Sequence, residues 1–196
     1  WLYIKANPAE NMRFGYSLIE ETKRKLLILQ NVYTFFSTYV DKKDFPSFAS
    51  PLRKAATGRS KTSEWQVQSV NILDKWIVSK IDNLIRTVEF NFDKYDTAKA
   101  VFAIEDFFIN DLSLWYVRRS RKRFHELNPG KKEAIEVFYY VLLNLAKTIA
   151  PVMPFFAEQM YQTLKTENMP ESVHLHDWPK GANQADLDLE QKMDEV

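Results

Sequence analysis

The chain has no cysteine, only four glycines in 196 residues, and a net charge of +1. Each shortage removes a class of chemistry. Without cysteine there is no disulfide, no thiolate-bound zinc and no cysteine nucleophile, and the absence is compatible with a cytoplasmic setting. None of the glycines lies in a G-x-G-x-x-G or G-x-x-x-x-G-K-[ST] context, which leaves no dinucleotide or P-loop site. The near-neutral balance gives no overall basic field, so any hold on a polyanion must come from local clustering. Three histidines are too few for a zinc site built without cysteine; His174 and His176 would share one face of a strand beside Asp177, short of the three or four ligands needed. Carboxylates are plentiful, but no pair is set apart for acid/base work, so no catalytic residue and no metal ligand is assigned. No run approaches the roughly 20 apolar residues of a membrane span, and Trp1-Leu2-Tyr3-Ile4-Lys5 carries neither a signal-peptide nor a presequence pattern.

What the chain does have is 45% apolar content, rich in Phe, Tyr and Trp, which calls for a sizeable core. The apolar positions recur at helical spacing. Ile19, Thr22, Leu26, Leu29, Tyr33, Phe36 and Val40 step by three and four, with Ser17 and Glu20 as a capping-box signature. Residues 41 to 63 hold Pro46, Pro51 and Gly58 among Ser, Thr, Lys and Arg, and read as a loop; Gly58-Arg59-Ser60-Lys61-Thr62-Ser63 within it reads as a solvated linker. A second helix from about Trp65 to Phe92 carries Val70, Leu73, Ile77, Ile81, Leu84 and Val88 on one stripe. Asp96 can cap a third, with Val101, Ile104, Phe108, Leu112 and Trp115 facing inward. Asn128-Pro129-Gly130 is a strong turn. A fourth helix follows through Ile135, Phe138, Leu142, Leu145 and Ile149, ending at Pro151 and Pro154, and a fifth places Phe156, Met160 and Leu164 on its face. Ser172 to His176 alternates and reads as extended, and Asp186 to Val196 begins a further amphipathic helix. The expected fold class is all-α: an antiparallel helical bundle over residues 17–170, an incoming segment at 1–16, and an extended segment with the start of a helix at 171–196. Beginning without Met and stopping mid-helix, the chain reads as a piece of a longer protein.

One stretch concentrates the chemistry. Trp115-Tyr116-Val117-Arg118-Arg119-Ser120-Arg121-Lys122-Arg123 sets adjacent aromatics against five cations within six residues. The helix macrodipole accounts for one or two cations near a helix C-terminus, not five. Arg118 with Lys122, and Arg119 with Arg123, fall one turn apart, and no matching run of carboxylates stands within three or four positions. An external polyanion, folded RNA above all, fits such a surface, with aromatic faces accepting unstacked bases. The expected contacts are Tyr116 as the exposed aromatic and Arg118, Arg119, Arg121, Lys122 and Arg123 as the cations, with Trp115 placed chiefly in the core and RNA contact as its alternative role. A helical scaffold docking an acidic protein surface is the alternative.

Asp111-Leu112-Ser113-Leu114-Trp115-Tyr116-Val117-Arg118-Arg119-Ser120-Arg121-Lys122-Arg123-Phe124 resembles a signature of the isoleucyl-tRNA synthetases, especially their eukaryotic-type branch. The resemblance covers nearly the whole chain. Asn7 to Phe14 is similar to the exit from the catalytic domain, and Leu73-Asp74-Lys75-Trp76-Ile77 to the start of a bundle helix. Ile149-Ala150-Pro151-Val152-Met153-Pro154-Phe155-Phe156 is similar to a helix junction shared with valyl, leucyl and methionyl relatives. Ser172-Val173-His174-Leu175-His176-Asp177-Trp178-Pro179 resembles the closing segment of the domain. Leu114 departs from the Asn that relatives often carry. The resemblance implies an anticodon-binding bundle that recognises isoleucine tRNA beside catalytic and C-terminal domains of the same protein. Catalysis, with its ATP and Mg²⁺, would belong to the parent; the family's ATP-site signatures are not in this chain, and no cofactor is expected in it.

Overall fold

The computed structural model describes residues 1–5, 15–41, 45, 69–125, 128–167, 169–180 and 185–195. Most of the expected 41–63 loop, the Asn7 to Phe14 segment and the proposed helix start at Trp65 lie outside the described residues. Helices α1 (Tyr16–Tyr39), α2 (Ile72–Asp93) and α3 (Thr97–Asp106) are followed by a π-helical segment, Phe107–Val117. That segment runs on into one α turn, α4 (Arg118–Ser120), and a 3₁₀ turn, Arg121–Phe124, so residues 97 to 124 form one composite helix. Then come α5 (Lys131–Ile149), α6 (Pro154–Leu164), a 3₁₀ turn at Val173–Leu175, and α7 (Leu187–Asp194). The chain is all-α; no strand occurs among the described residues.

The core is built around α5. Its buried positions run without a break from Val137 through Phe138, Tyr139, Tyr140 and Val141 to Leu142, so they circle the helix instead of forming one stripe. A helix apolar all round has to sit in the middle. Phe138 is the hub: Phe36 (5.3 Å), Phe124 (5.5 Å) and Tyr116 (5.8 Å) meet it edge-on, and Phe35 lies tilted at 6.2 Å between ring centroids. These tilted and edge-on arrangements set the positive ring edge against a negative face.

Local chemistry supplies the caps of α2 and α3. Asp96 accepts from the Lys99 N–H at 3.1 Å, as its position before α3 predicts. Asn71 caps α2 through the Leu73 N–H at 2.9 Å. The expected capping box at Ser17 does not form, because α1 begins two residues earlier than that cap would set it, at Tyr16, with Gly15 in the cap position. Asn128-Pro129-Gly130 turns as expected, with the Asn128 side-chain oxygen accepting from the Gly130 N–H at 2.9 Å. The expected strand at 172–176 is instead a 3₁₀ turn flanked by extended residues. Glu158 of α6 imposes it by accepting from both the Ser172 hydroxyl (2.8 Å) and the Val173 N–H (2.9 Å), which draws that backbone onto a helix.

Polar anchors hold the flanks. The Glu105 carboxylate takes donors from Trp1 Nε1 (2.9 Å), Lys5 Nζ (2.7 Å) and Lys25 Nζ (3.0 Å), joining residues 1–5 and α1 to α3. Burial alone would raise its carboxyl, but the Lys5, Trp1 and Lys25 donors outweigh that and hold it below its ordinary value. At the other flank, Ser79 of α2 donates to Glu190 of α7 and accepts from the Asp186 N–H at 2.7 Å.

Candidate nucleic-acid interface

The composite helix delivers the aromatic and basic run. From Ile104 onward its fully buried positions are Ile104, Phe108, Leu112, Tyr116, Ser120 and Phe124, a strict repeat of four. At 3.6 residues per turn each four-residue step overshoots by about 40°, so five steps would carry an α-helical stripe about 200° round, onto the opposite side. The wider π turns take up that drift and keep the stripe against α2 and α5. This decides the fate of the two aromatics. Continuing the α-period from Leu112 points Trp115 inward; the observed period points Tyr116 inward instead.

Tyr116 is therefore not the exposed aromatic that the sequence suggested. It is 0% exposed, and its hydroxyl donates to Asp74 Oδ1 at 3.1 Å. Burial first, then the neighbouring Asp74 charge, pushes the phenol well above its ordinary value and keeps it a neutral donor. Trp115, assigned mainly to the core, is half-buried. One side packs on Trp76 (6.2 Å between centroids), and the Arg119 guanidinium lies 3.8 Å from the ring centroid. Trp76, tilted against Trp115, and Arg119 over the Trp115 ring thus form a contiguous set that ends at the surface in a cation.

The five cations divide. Arg123 folds inward, its Nη1 and Nη2 donating to Asp74 Oδ1 and Oδ2 at 2.6 and 2.7 Å. The Asp74 hydrogen bonds raise the guanidinium above its ordinary value against the opposing pull of burial. Both terminal nitrogens are engaged by Asp74, so Arg123 faces inward where the other four cations face out. Arg118, Arg119, Arg121 and Lys122 are exposed, and none pairs with a carboxylate among the described residues. Arg118 and Arg121 stand on the rim of a groove of about 240 Å³ between α1 and the π segment. Val32, Phe35 and Val117 form its floor, and Asn31 and Ser113 add an amide and a hydroxyl. The α1 residues of this groove escaped the sequence reading because that helix was read as one inward stripe. An Asn at 31, next to that stripe and exposed, was the available signal.

Residues 74–196 match the family described as the anticodon-binding domain of tRNA ligase. The chain belongs to that family. Among proteins similar to this anticodon-binding domain are isoleucine–tRNA ligases of Clostridium tetani (40% identical over 99% of the chain), Clostridium novyi (38% over 98%) and Chlamydia muridarum (38% over 96%). The chain spans only 18%, 18% and 17% of those relatives' lengths. Elsewhere the anticodon-binding domain offers little that resembles a reaction centre. His174 is exposed across a 3₁₀ turn from His176, whose Nε2 lies 2.8 Å from the Tyr161 hydroxyl, so the two histidines do not share a strand face. No group of three potential metal ligands occurs among the described residues, and none of their helices is long and apolar enough to cross a membrane.

Proposed function

We propose that this chain is the anticodon-recognition part of a cytoplasmic isoleucine–tRNA ligase. The parent enzyme attaches isoleucine to its tRNA using ATP with Mg²⁺, and this domain contributes recognition without chemistry. The relatives' names favour isoleucine tRNA as the partner. The observation that carries the reading is the pairing of four exposed cations, without a carboxylate partner among the described residues, with an apolar-floored groove. Phosphates fix register on Arg118, Arg119, Arg121 and Lys122, while a splayed base enters the groove under the Arg118 and Arg121 rim. Arg119, held over the Trp115 ring, offers a second planar group for stacking. Residues 1–16 connect from the catalytic part, 17–170 form the recognition bundle, and 171–196 lead towards the C-terminal part.

The test is a filter-binding titration with an isoleucine-tRNA transcript over a series of salt concentrations. Arg118→Ala with Arg121→Ala is expected to weaken binding at least tenfold. It should also flatten the salt dependence by about 1.4–1.8 in log–log slope, the equivalent of two lost phosphate contacts, with the melting temperature within 1 °C of the parent's. Binding that ignores salt, or loss of stability in step with loss of affinity, contradicts the reading. Pyrophosphate exchange with ATP and isoleucine by this chain alone is expected to be undetectable.

A further inference from the structure

Between Tyr116 and Arg123 the composite helix passes from π through α to 3₁₀ hydrogen bonding. Three geometries within eight residues leave the rotational phase of the intervening side chains weakly set by the local backbone. Both ends of this stretch are tied to one carboxylate. Asp74, fully buried in the first turn of α2, accepts from Tyr116 Oη (3.1 Å), from both terminal nitrogens of Arg123 (2.6 and 2.7 Å) and from Ser69 Oγ (2.7 Å). Ser69 in turn accepts from the Asn71 N–H at 3.1 Å, coupling the knot to the cap of α2. Ser120 and Phe124 are buried on the same side. With 116, 120, 123 and 124 turned inward, residues 118, 119, 121 and 122 are turned out.

The geometry points to Asp74 and Arg123 as a positioning pair for the RNA-binding face: their bidentate fork, with Tyr116 as its second strap, sets the direction in which the four outer cations present themselves. The inference rests on the function proposed above. It makes Arg123 a residue that acts on RNA only through Arg118, Arg119, Arg121 and Lys122. It also explains why the inward residue is arginine, since lysine carries the same charge but cannot make two parallel hydrogen bonds to a carboxylate.

The experiment uses variants that leave net charge untouched. Affinity for the isoleucine-tRNA transcript is measured across salt concentrations at a temperature at which circular dichroism shows each variant fully folded. Arg123→Lys is expected to lower affinity at least fivefold and to flatten the log–log salt slope by about 0.7–0.9, one phosphate contact, although no charge has been removed. Tyr116→Phe, whose site no RNA can reach, is expected to shift both readouts in the same direction by a smaller amount. Lys192→Arg, a charge-preserving change at an exposed position on α7 outside the RNA face, serves as control, with affinity within twofold. Should Tyr116→Phe and Arg123→Lys both bind with parental affinity and slope, the pair only holds the fold together and the inference is overturned, while the Arg118→Ala and Arg121→Ala result still stands for the RNA face. Should Arg123→Lys weaken binding while Tyr116→Phe leaves both readouts unchanged, Arg123 touches the RNA itself and the inference is again overturned. If the Arg118→Ala and Arg121→Ala protein binds with unchanged salt dependence, the face is misassigned and the positioning role falls with it. If Arg123→Lys does not fold, Tyr116→Phe alone decides.

Discussion

Single residues in this domain are set by burial and backbone constraint in ways that can be measured. Tyr95 closes α2 in the left-handed region, at φ 59°, and is 92% exposed. The hydrogen bonds there, Asp96 N–H to Asn91 O at 2.8 Å and Tyr95 N–H to Phe92 O at 2.9 Å, make a Schellman turn, whose left-handed position favours glycine. A side chain in that region costs about 1–2 kcal/mol, and glycine's extra freedom in the unfolded chain returns about 0.5–1 kcal/mol of the difference. Tyr95→Gly is therefore expected to stabilise the protein by about 0.5–1 kcal/mol, read as a rise of a few degrees in melting temperature. His176 responds to pH in the opposite sense to a salt-bridged histidine. Burial, then the Lys147 charge, lowers its pKa to about 4, with Asp177 opposing and the Tyr161 hydroxyl at 2.8 Å. The unfolded chain, with a histidine pKa near 6.5, binds the proton more readily. The stability that His176 contributes is thus full above about pH 6.5 and is lost as pH falls towards 4. Thermal melts of His176→Gln and the parent should converge on acidification through that window, by about 1–2 kcal/mol after allowing for solvent screening of the half-buried ring.

At the scale of elements, the composite helix shows where a sequence reading succeeds and where it turns on a single residue. Val101, Ile104, Phe108 and Leu112 were legible as a stripe because steps of three and four suit an α-helix, and all four are buried. Beyond Leu112 the same rule offers Trp115 and Tyr116 alike. The strict four-residue repeat through Tyr116, Ser120 and Phe124 was visible in the letters, but only π geometry makes it one face, and nothing local announces that geometry. Deleting the exposed Asn110 within the π segment removes one step of a face that repeats every four residues, and is expected to rotate everything after it by about a quarter turn. Tyr116, Ser120 and Phe124 would leave the core and Arg123 would lose Asp74. The measurable outcomes are a melting temperature lower by more than 10 °C and loss of the Tyr116 protection from iodination. The fourth and fifth helices were more easily read, since proline at 151 and 154 punctuates them: Pro154 occupies the first turn of α6, where its missing N–H is no loss. Val70, by contrast, was placed on the α2 stripe and is 87% exposed, because the helix starts only at Ile72.

For the whole molecule, the central question is how the flanking pieces are fastened to a bundle built round α5. Trp178 lies edge-on to Phe92 of α2 at 6.1 Å, so the segment after α6 crosses back to α2 before α7 begins. There the link is polar. Glu190 takes the Ser79 hydroxyl and also Asn83 Nδ2 at 2.6 Å. Ser79 is fully buried, so its removal leaves the Asp186 N–H without a partner, a penalty of about 1–3 kcal/mol. Ser79→Ala is expected to release α7 selectively: amide exchange over residues 187–194 should speed up at least tenfold while α5 keeps its protection. Uniform acceleration across the bundle would show that α7 is an integral part of its cooperative unit.

The sequence by itself determined the helical class, the position of most helices and the location of the basic run, because apolar periodicity, proline and capping residues act within a few positions along the chain. It also carried the family, through residues whose order survives without reference to any contact. Tertiary structure alone decided which of five cations meets solvent and which of two adjacent aromatics is dry. Those outcomes depend on a carboxylate 49 residues before Arg123 and on the phase of a π turn. A buried charge is tolerable only where donors converge on it, and it is the fold that brings Ser69, Tyr116 and Arg123 to Asp74.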